Sequence, residues 1–138
     1  MIRKISFTGS TTVGKQLLKL AAEGAKRTTM ELGGHAPVLV YADVDVDAVL
    51  DLAVAAKYRN AGQVCVSPTR FYVHESIYER FVAGFAARAR ALPVGDGLDE
   101  SSRMGPLVHP RRLAALQSLV DDALAHGARL LAGGARLE

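Results

Sequence analysis

The chain has no tryptophan, a single cysteine, five prolines and only 6% aromatic residues among its 138 positions. One thiol excludes an intrachain disulfide and leaves no cysteine pair for a zinc knuckle. The four histidines are scattered and form no HExxH, so a metal site is not expected. Scarce aromatics remove the stacking platform that single-stranded nucleic acid needs. Charge of one sign is not concentrated either. Lys and Arg number 17 against 14 Asp and Glu, a formal +3, with basic residues no denser than the pairs Arg3-Lys4, Lys26-Arg27 and Arg111-Arg112. That pattern argues against a phosphate-binding footprint. Apolar stretches are broken every few residues, well short of the 18 or so that span a membrane. The start, MIRKISFTGS, lacks the apolar centre of a signal peptide. A cytoplasmic, reducing compartment is the expectation, with neither nucleic acid nor membrane as partner.

What is present is the patterning of an α/β protein. Hydrophobic residues make up 49% and charged residues 22%, which excludes a disordered chain. Lys4 to Phe7 reads as a strand, with a turn at Thr8, Gly9 and Ser10. A helix from Thr11 or Thr12 to Glu23 follows, with Val13, Leu17, Leu20 and Ala21 on one face. Lys26 to Glu31 is the next strand and Gly33-Gly34 breaks it. Ala36 to Tyr41 is nearly all apolar, as in a strand buried on both faces. Asp43, Asp45 and Asp47 offer caps for a helix to Tyr58, packing through Val49, Leu50, Ala53 and Val54. Thr69 to Val73 reads as a strand and Glu75 to Leu92 as a helix with Ile77, Phe81 and Phe85 inward. Residues 93–110 carry closely spaced breakers and read as a long irregular connection. A last helix, Arg111 to Ala125, is expected to turn Leu113, Leu116, Leu119, Val120 and Leu124 inward. A strand at Ala128 to Ala132 and a turn at Gly133-Gly134 complete the pattern. Strands this near both ends suggest a segment of a larger α/β enzyme, with a boundary near Gly33-Gly34.

Three places carry chemistry. In Asn60-Ala61-Gly62-Gln63-Val64-Cys65, Gly62 permits a close backbone turn and the Gln63 amide can fix the loop. A thiol so placed can meet backbone N–H groups that stabilise a thiolate or an oxyanion; the alternative is an inert buried cysteine. Glu31, between a strand and two glycines, can serve as a general base at a crevice, or simply satisfy nearby N–H groups. Phe7-Thr8-Gly9-Ser10 ahead of a helix can hold a phosphate, although neither GxGxxG nor a Walker pattern is present; helix capping by Ser10 is the alternative. Arg59 stands beside the cysteine loop, where it can meet an anionic substrate or remain a surface residue.

FTGST at Phe7 to Thr11, MELGGHAPVLV at Met30 to Val40 and NAGQVC at Asn60 to Cys65 together resemble the aldehyde dehydrogenase superfamily. GPLVHP at Gly105 to Pro110 and LLAGG at Leu130 to Gly134 extend the resemblance over essentially the whole chain. The resemblance implies that residues 1–32 end an NAD(P)-binding, Rossmann-like domain and that residues 33–138 form part of the α/β catalytic domain. It makes Cys65 the nucleophile that passes through a thiohemiacetal and a thioester, and Glu31 the base that activates the hydrolytic water. It sets Thr8, Gly9, Ser10 and Leu32 against NAD or NADP, and gives the Cys65 N–H one oxyanion contact. KYRNAGQVC is similar to enzymes of acidic semialdehydes, succinate type, in which the position of Arg59 faces the substrate carboxylate. The parent is expected to be a homo-oligomer acting on a small aldehyde. The family's upstream asparagine and its two ribose-binding residues have no match here. The isolated segment is therefore expected to be inactive, with a non-catalytic associating fragment as the competing function.

Overall fold

The computed structural model describes residues 2–137. Two parallel strand–helix–strand units follow one another. In the first, β1 (Lys4–Thr8) leads through α1 (Thr11–Glu23) to β2 (Arg27–Glu31), and Lys4 to Thr8 pair in register with Arg27 to Glu31. Alternation sets the faces: Ile5, Phe7, Thr28 and Met30 are half-buried while their neighbours are exposed. Ser10 caps α1 by accepting from the Val13 N–H at 3.3 Å, the ordinary use of serine before a helix. β1 runs one residue further than the sequence suggests, because the Gly9 N–H donates to the Glu31 carbonyl at 3.0 Å and continues the ladder. β2 starts at Arg27 because Ala25 takes a positive φ of 46° as the chain leaves α1.

In the second unit, β3 (Ala36–Val40) pairs in parallel with β4 (Pro68–Val73) across α2 (Val46–Tyr58), and α3 (Glu75–Ala91) packs on α2 and β4. Asp45 caps α2 through the N–H groups of Asp47 and Ala48. Val40, Val46, Leu50, Ala53 and Phe81 form the buried centre, with Val38, Phe71, Ile77 and Phe85 against it. The rings of Phe71, Phe81 and Phe85 lie with centroids 5.3 to 6.0 Å apart, the tilted geometry that adds to their area burial. Across the outer side of the same helix pair, Asp47 binds Arg80 and Arg88, and Asp51 binds Arg88. These exposed pairs orient the helices more than they stabilise them.

Three expectations are corrected. β3 is not buried on both faces: Leu39 is 61% exposed and only Val40 is fully covered within this chain. The final helix, α4 (Pro110–Ala125), has no buried residue and packs on no other helix or strand among the described residues. Of its stripe, Leu113, Leu119 and Leu124 are exposed, Leu119 at 59%, while Leu116 and Val120 are half-buried. Residues 128–132 form no strand; instead Arg90 donates to the Leu131 carbonyl and holds the tail against α3. Among the described residues no strand pairs with that segment, and an extended apolar stretch without a ladder gains nothing from strand geometry. The connection between α3 and α4 is ordered. Val94 bridges Met104, the N–H groups of Arg103 and Met104 both donate to the Pro93 carbonyl, and Asp96 and Asp99 close local turns with Leu98 and Ser101.

Candidate functional site

The chain leaves the carboxyl end of the first sheet at Glu31 and enters the amino end of the second at Ala36, five residues later. Beside this link, α2 ends at Tyr58 and the chain makes a tight turn over Arg59–Gly62. Asn60 (φ 52°, ψ 41°) and Ala61 (φ 54°, ψ 32°) are both left-handed, and Gly62 follows at φ 72°. Asparagine tolerates that region and glycine accepts it freely, but alanine does not. A reciprocal clasp holds the turn. The Asn60 side-chain amide donates to the Gln63 carbonyl at 3.3 Å, and the Gln63 amide donates to the Asn60 carbonyl at 3.2 Å. The Gln63 N–H adds a third bond to the Asn60 carbonyl. Buried Ser67 then ties the loop back to α2 by donating to the Lys57 carbonyl at 3.2 Å.

This clasp presents Cys65 outward. The thiol is exposed and so is not buried by the residues of this chain. It lines a cleft of about 560 Å³ together with Gly33, Gly34, Lys57, Gly62 and Arg112. Leu107 and Leu116 supply an apolar wall. Among the described residues the Cys65 N–H has no backbone acceptor, which leaves it free for a developing oxyanion. Burial pushes the Lys57 ammonium below its ordinary value of 10.5 and raises the neighbouring Tyr58 phenol above 10.0, since both charged forms lose water there.

The other sequence-predicted residues gather on the first sheet. Thr8 pairs with Glu31, and Gly9 bonds to its carbonyl. Ser10 starts α1. Leu32 folds back onto α1, where a Cβ on Gly14 would meet its side chain at 2.6 Å. Glu31 and Arg59 are exposed and neither lines the Cys65 cleft. The structure thus brings Cys65 to Gly33 and Gly34, and gathers Thr8, Gly9, Ser10 and Glu31 two to three residues upstream of those glycines or across the ladder. Sequence reasoning missed Lys57 and Arg112. Lys57 was discoverable, at the end of α2 and five residues ahead of Gly62; Arg112 was not, because it arrives from a distant helix. Among the described residues no cluster of three metal-ligating side chains occurs and no helix is long and apolar enough to cross a membrane.

The β1–α1 turn fits the nicotinamide and pyrophosphate side of a dinucleotide. It lies at the carboxyl ends of two parallel strands, where such ligands bind, and Gly9 keeps the surface low because a Cβ there would strike the Phe7 ring at 2.5 Å. A parallel α/β segment with a clasped, solvent-facing thiol next to the Gly33-Gly34 link defines a cysteine-bearing α/β protein. Residues 1–138 match the aldehyde dehydrogenase family, and the chain belongs to it. Succinate-semialdehyde dehydrogenase of Escherichia coli, an NADP(+) enzyme, is 42% identical over 134 residues, 97% of this chain and 28% of that protein. The 3-sulfolactaldehyde dehydrogenase of Pseudomonas putida is 46% identical over 136 residues, 99% of this chain and 28% of the relative. Betaine aldehyde dehydrogenase of Staphylococcus aureus, solved with NAD+, superposes with a TM-score of 0.94 at 33% identity, covering 99% of this chain and 27% of that one. The chain spans a little over a quarter of the proteins it matches.

Proposed function

We propose that the protein carrying this chain oxidises an aldehyde with a distal acidic group to the corresponding carboxylate, using NAD or NADP. The observation that carries the proposal is Cys65, exposed in its cleft by the Asn60–Gln63 clasp. The thiolate attacks the carbonyl carbon, a C–S bond forms, and the oxygen takes the negative charge beside the Cys65 N–H. NAD or NADP, when bound, supplies the acceptor for the hydride that converts this adduct to a thioester. Thr8, Gly9, Ser10 and the Leu32 backbone hold that cofactor. Glu31 takes a proton from water as the water adds to the thioester carbonyl; the C–S bond breaks and the thiolate is restored. An exposed carboxylate two residues from Gly33, which lines the cleft, supports this base role. The resemblance offers Arg59 for the acidic end of the substrate, although Arg59 does not line the Cys65 cleft. The aldehydes that give the two relatives their names, a semialdehyde of a dicarboxylic acid and a sulfonated aldehyde, agree with an anionic aldehyde. A homo-oligomeric, cytoplasmic protein with a domain boundary after Leu32 completes the proposal. In its support, no element of the first unit packs on an element of the second among the described residues.

The test is the C65A variant in the whole enzyme. It should form no thioester while binding cofactor normally; wild-type turnover would overturn the assignment. E31Q should still acylate, giving a burst of reduced cofactor followed by slow deacylation. A steady-state rate equal to wild type under deacylation-limited conditions removes Glu31 from the role.

A further inference from the structure

The Cys65 cleft has cations on two sides and no anion. Lys57 enters from the last turn of α2 and Arg112 from the first turn of α4, and none of the residues lining the cleft is a carboxylate. Lys57 has no carboxylate within 4.0 Å among the described residues, whereas Arg80 and Arg88 are paired. Its Nζ lies over the turn that presents the thiol, 3.9 Å from where a Cβ on Gly62 would stand. The ammonium is half-buried, and burial disfavours its charged form. A cation held at a desolvation cost with no internal counterion is matched to an external one.

We propose that Lys57 is a specificity-determining residue that receives the distal carboxylate or sulfonate of the aldehyde whose carbonyl meets Cys65, with Arg112 reinforcing the same positive pole. The inference rests on the Cys65 chemistry above and deepens it. Arg59, the cation that the sequence favours for this duty, does not line the cleft. Lys57 does, and a cleft of about 560 Å³ holds a short aldehyde and its acidic end together.

The test uses Cys65 as its own probe, because it is the sole thiol of the chain. Iodoacetate and iodoacetamide each alkylate the thiolate by forming a C–S bond and expelling iodide. They differ in charge, so any change in thiol ionisation cancels in the ratio of their rates. At low salt, K57M should lower the iodoacetate-to-iodoacetamide ratio about five-fold, as expected for one unscreened cation several ångströms away. R112M should lower it about two-fold, and 0.5 M salt should shrink both effects. K57R should keep the ratio near wild type. A ratio unchanged in K57M, or lowered equally in K57M and K57R, overturns the proposal. The Ser67 bond goes to the Lys57 backbone carbonyl, so side-chain replacement leaves it in place; K57Q serves if K57M loses its helical signal. Thioester formation in the whole enzyme separates the two failures. An unchanged ratio with normal thioester formation removes Lys57 alone, whereas a lowered ratio without thioester removes the aldehyde chemistry and keeps the anion site.

Discussion

Replacing Gly62 by alanine tests the turn that presents the thiol. Gly62 has φ 72°, where an L side chain costs about 1–2 kcal/mol. The new Cβ would lie 3.3 Å from the Lys57 carbonyl oxygen. That oxygen cannot easily retreat, since it belongs to the last turn of α2 and accepts the buried Ser67 hydroxyl at 3.2 Å. Overpacking of this kind adds about 1 kcal/mol or more, and the stiffer unfolded chain returns roughly 0.5 kcal/mol. The net destabilisation is therefore about 2 kcal/mol. With a urea slope of about 2 kcal/mol/M, the unfolding midpoint should fall by roughly 1 M. Gly33→Ala is the matched control: it also lines the cleft, but its Cβ meets nothing within 4 Å and its φ is not positive. It should stay within about 0.5 kcal/mol of wild type. Cys65 alkylation should change in G62A and remain unchanged in G33A. Equal midpoints for the two variants would refute the argument that the left-handed turn fixes the thiol.

Phe81→Ala removes the ring at the centre of the α2–α3 core, where Phe81 is 3% exposed; a loss of about 3–5 kcal/mol in chemical denaturation is expected, against a smaller loss for half-buried Phe85. The guanidinium of Arg80, then that of Arg88, holds the Asp47 carboxyl below its ordinary 3.8. Its contribution is thus present above that value and is lost as pH falls through the lower folded one, so D47N should show a flatter acid-unfolding curve than wild type, and identical curves would exclude the effect. His109 caps α4 by accepting from the Arg111 N–H at 3.0 Å. H109A should cost that helix about 1 kcal/mol, seen as faster amide exchange confined to α4, because among the described residues α4 packs on no other helix or strand.

Local patterns made most elements legible. The helix period placed α2 and α3, and in both the apolar positions picked from sequence are buried or half-buried, with Leu50 and Phe81 at the centre. Gly62 and Gln63 were recognisable as the makers of the cysteine turn, since a left-handed position and a loop-closing amide are properties of the residue itself. The family was likewise written in the order and separation of short motifs. Ala61 was not legible as left-handed, because its own preference opposes that geometry and only the Asn60–Gln63 clasp enforces it. Histidine caps at His74 and His109 escaped notice because imidazole is an uncommon cap.

Sequence by itself determined the elements, the thiol and the turn that carries it, all of which depend on residues within a few positions of one another. Only the tertiary structure decided what surrounds that thiol. It put Lys57, Arg112 and Leu116 around Cys65, left Glu31 and Arg59 outside the cleft, and left Leu113, Leu119 and Leu124 of α4 exposed. Amphipathic spacing says that a face is apolar but not which surface meets it. Partners 47 positions apart, as Cys65 and Arg112 are, are chosen by packing rather than by any local preference of the chain.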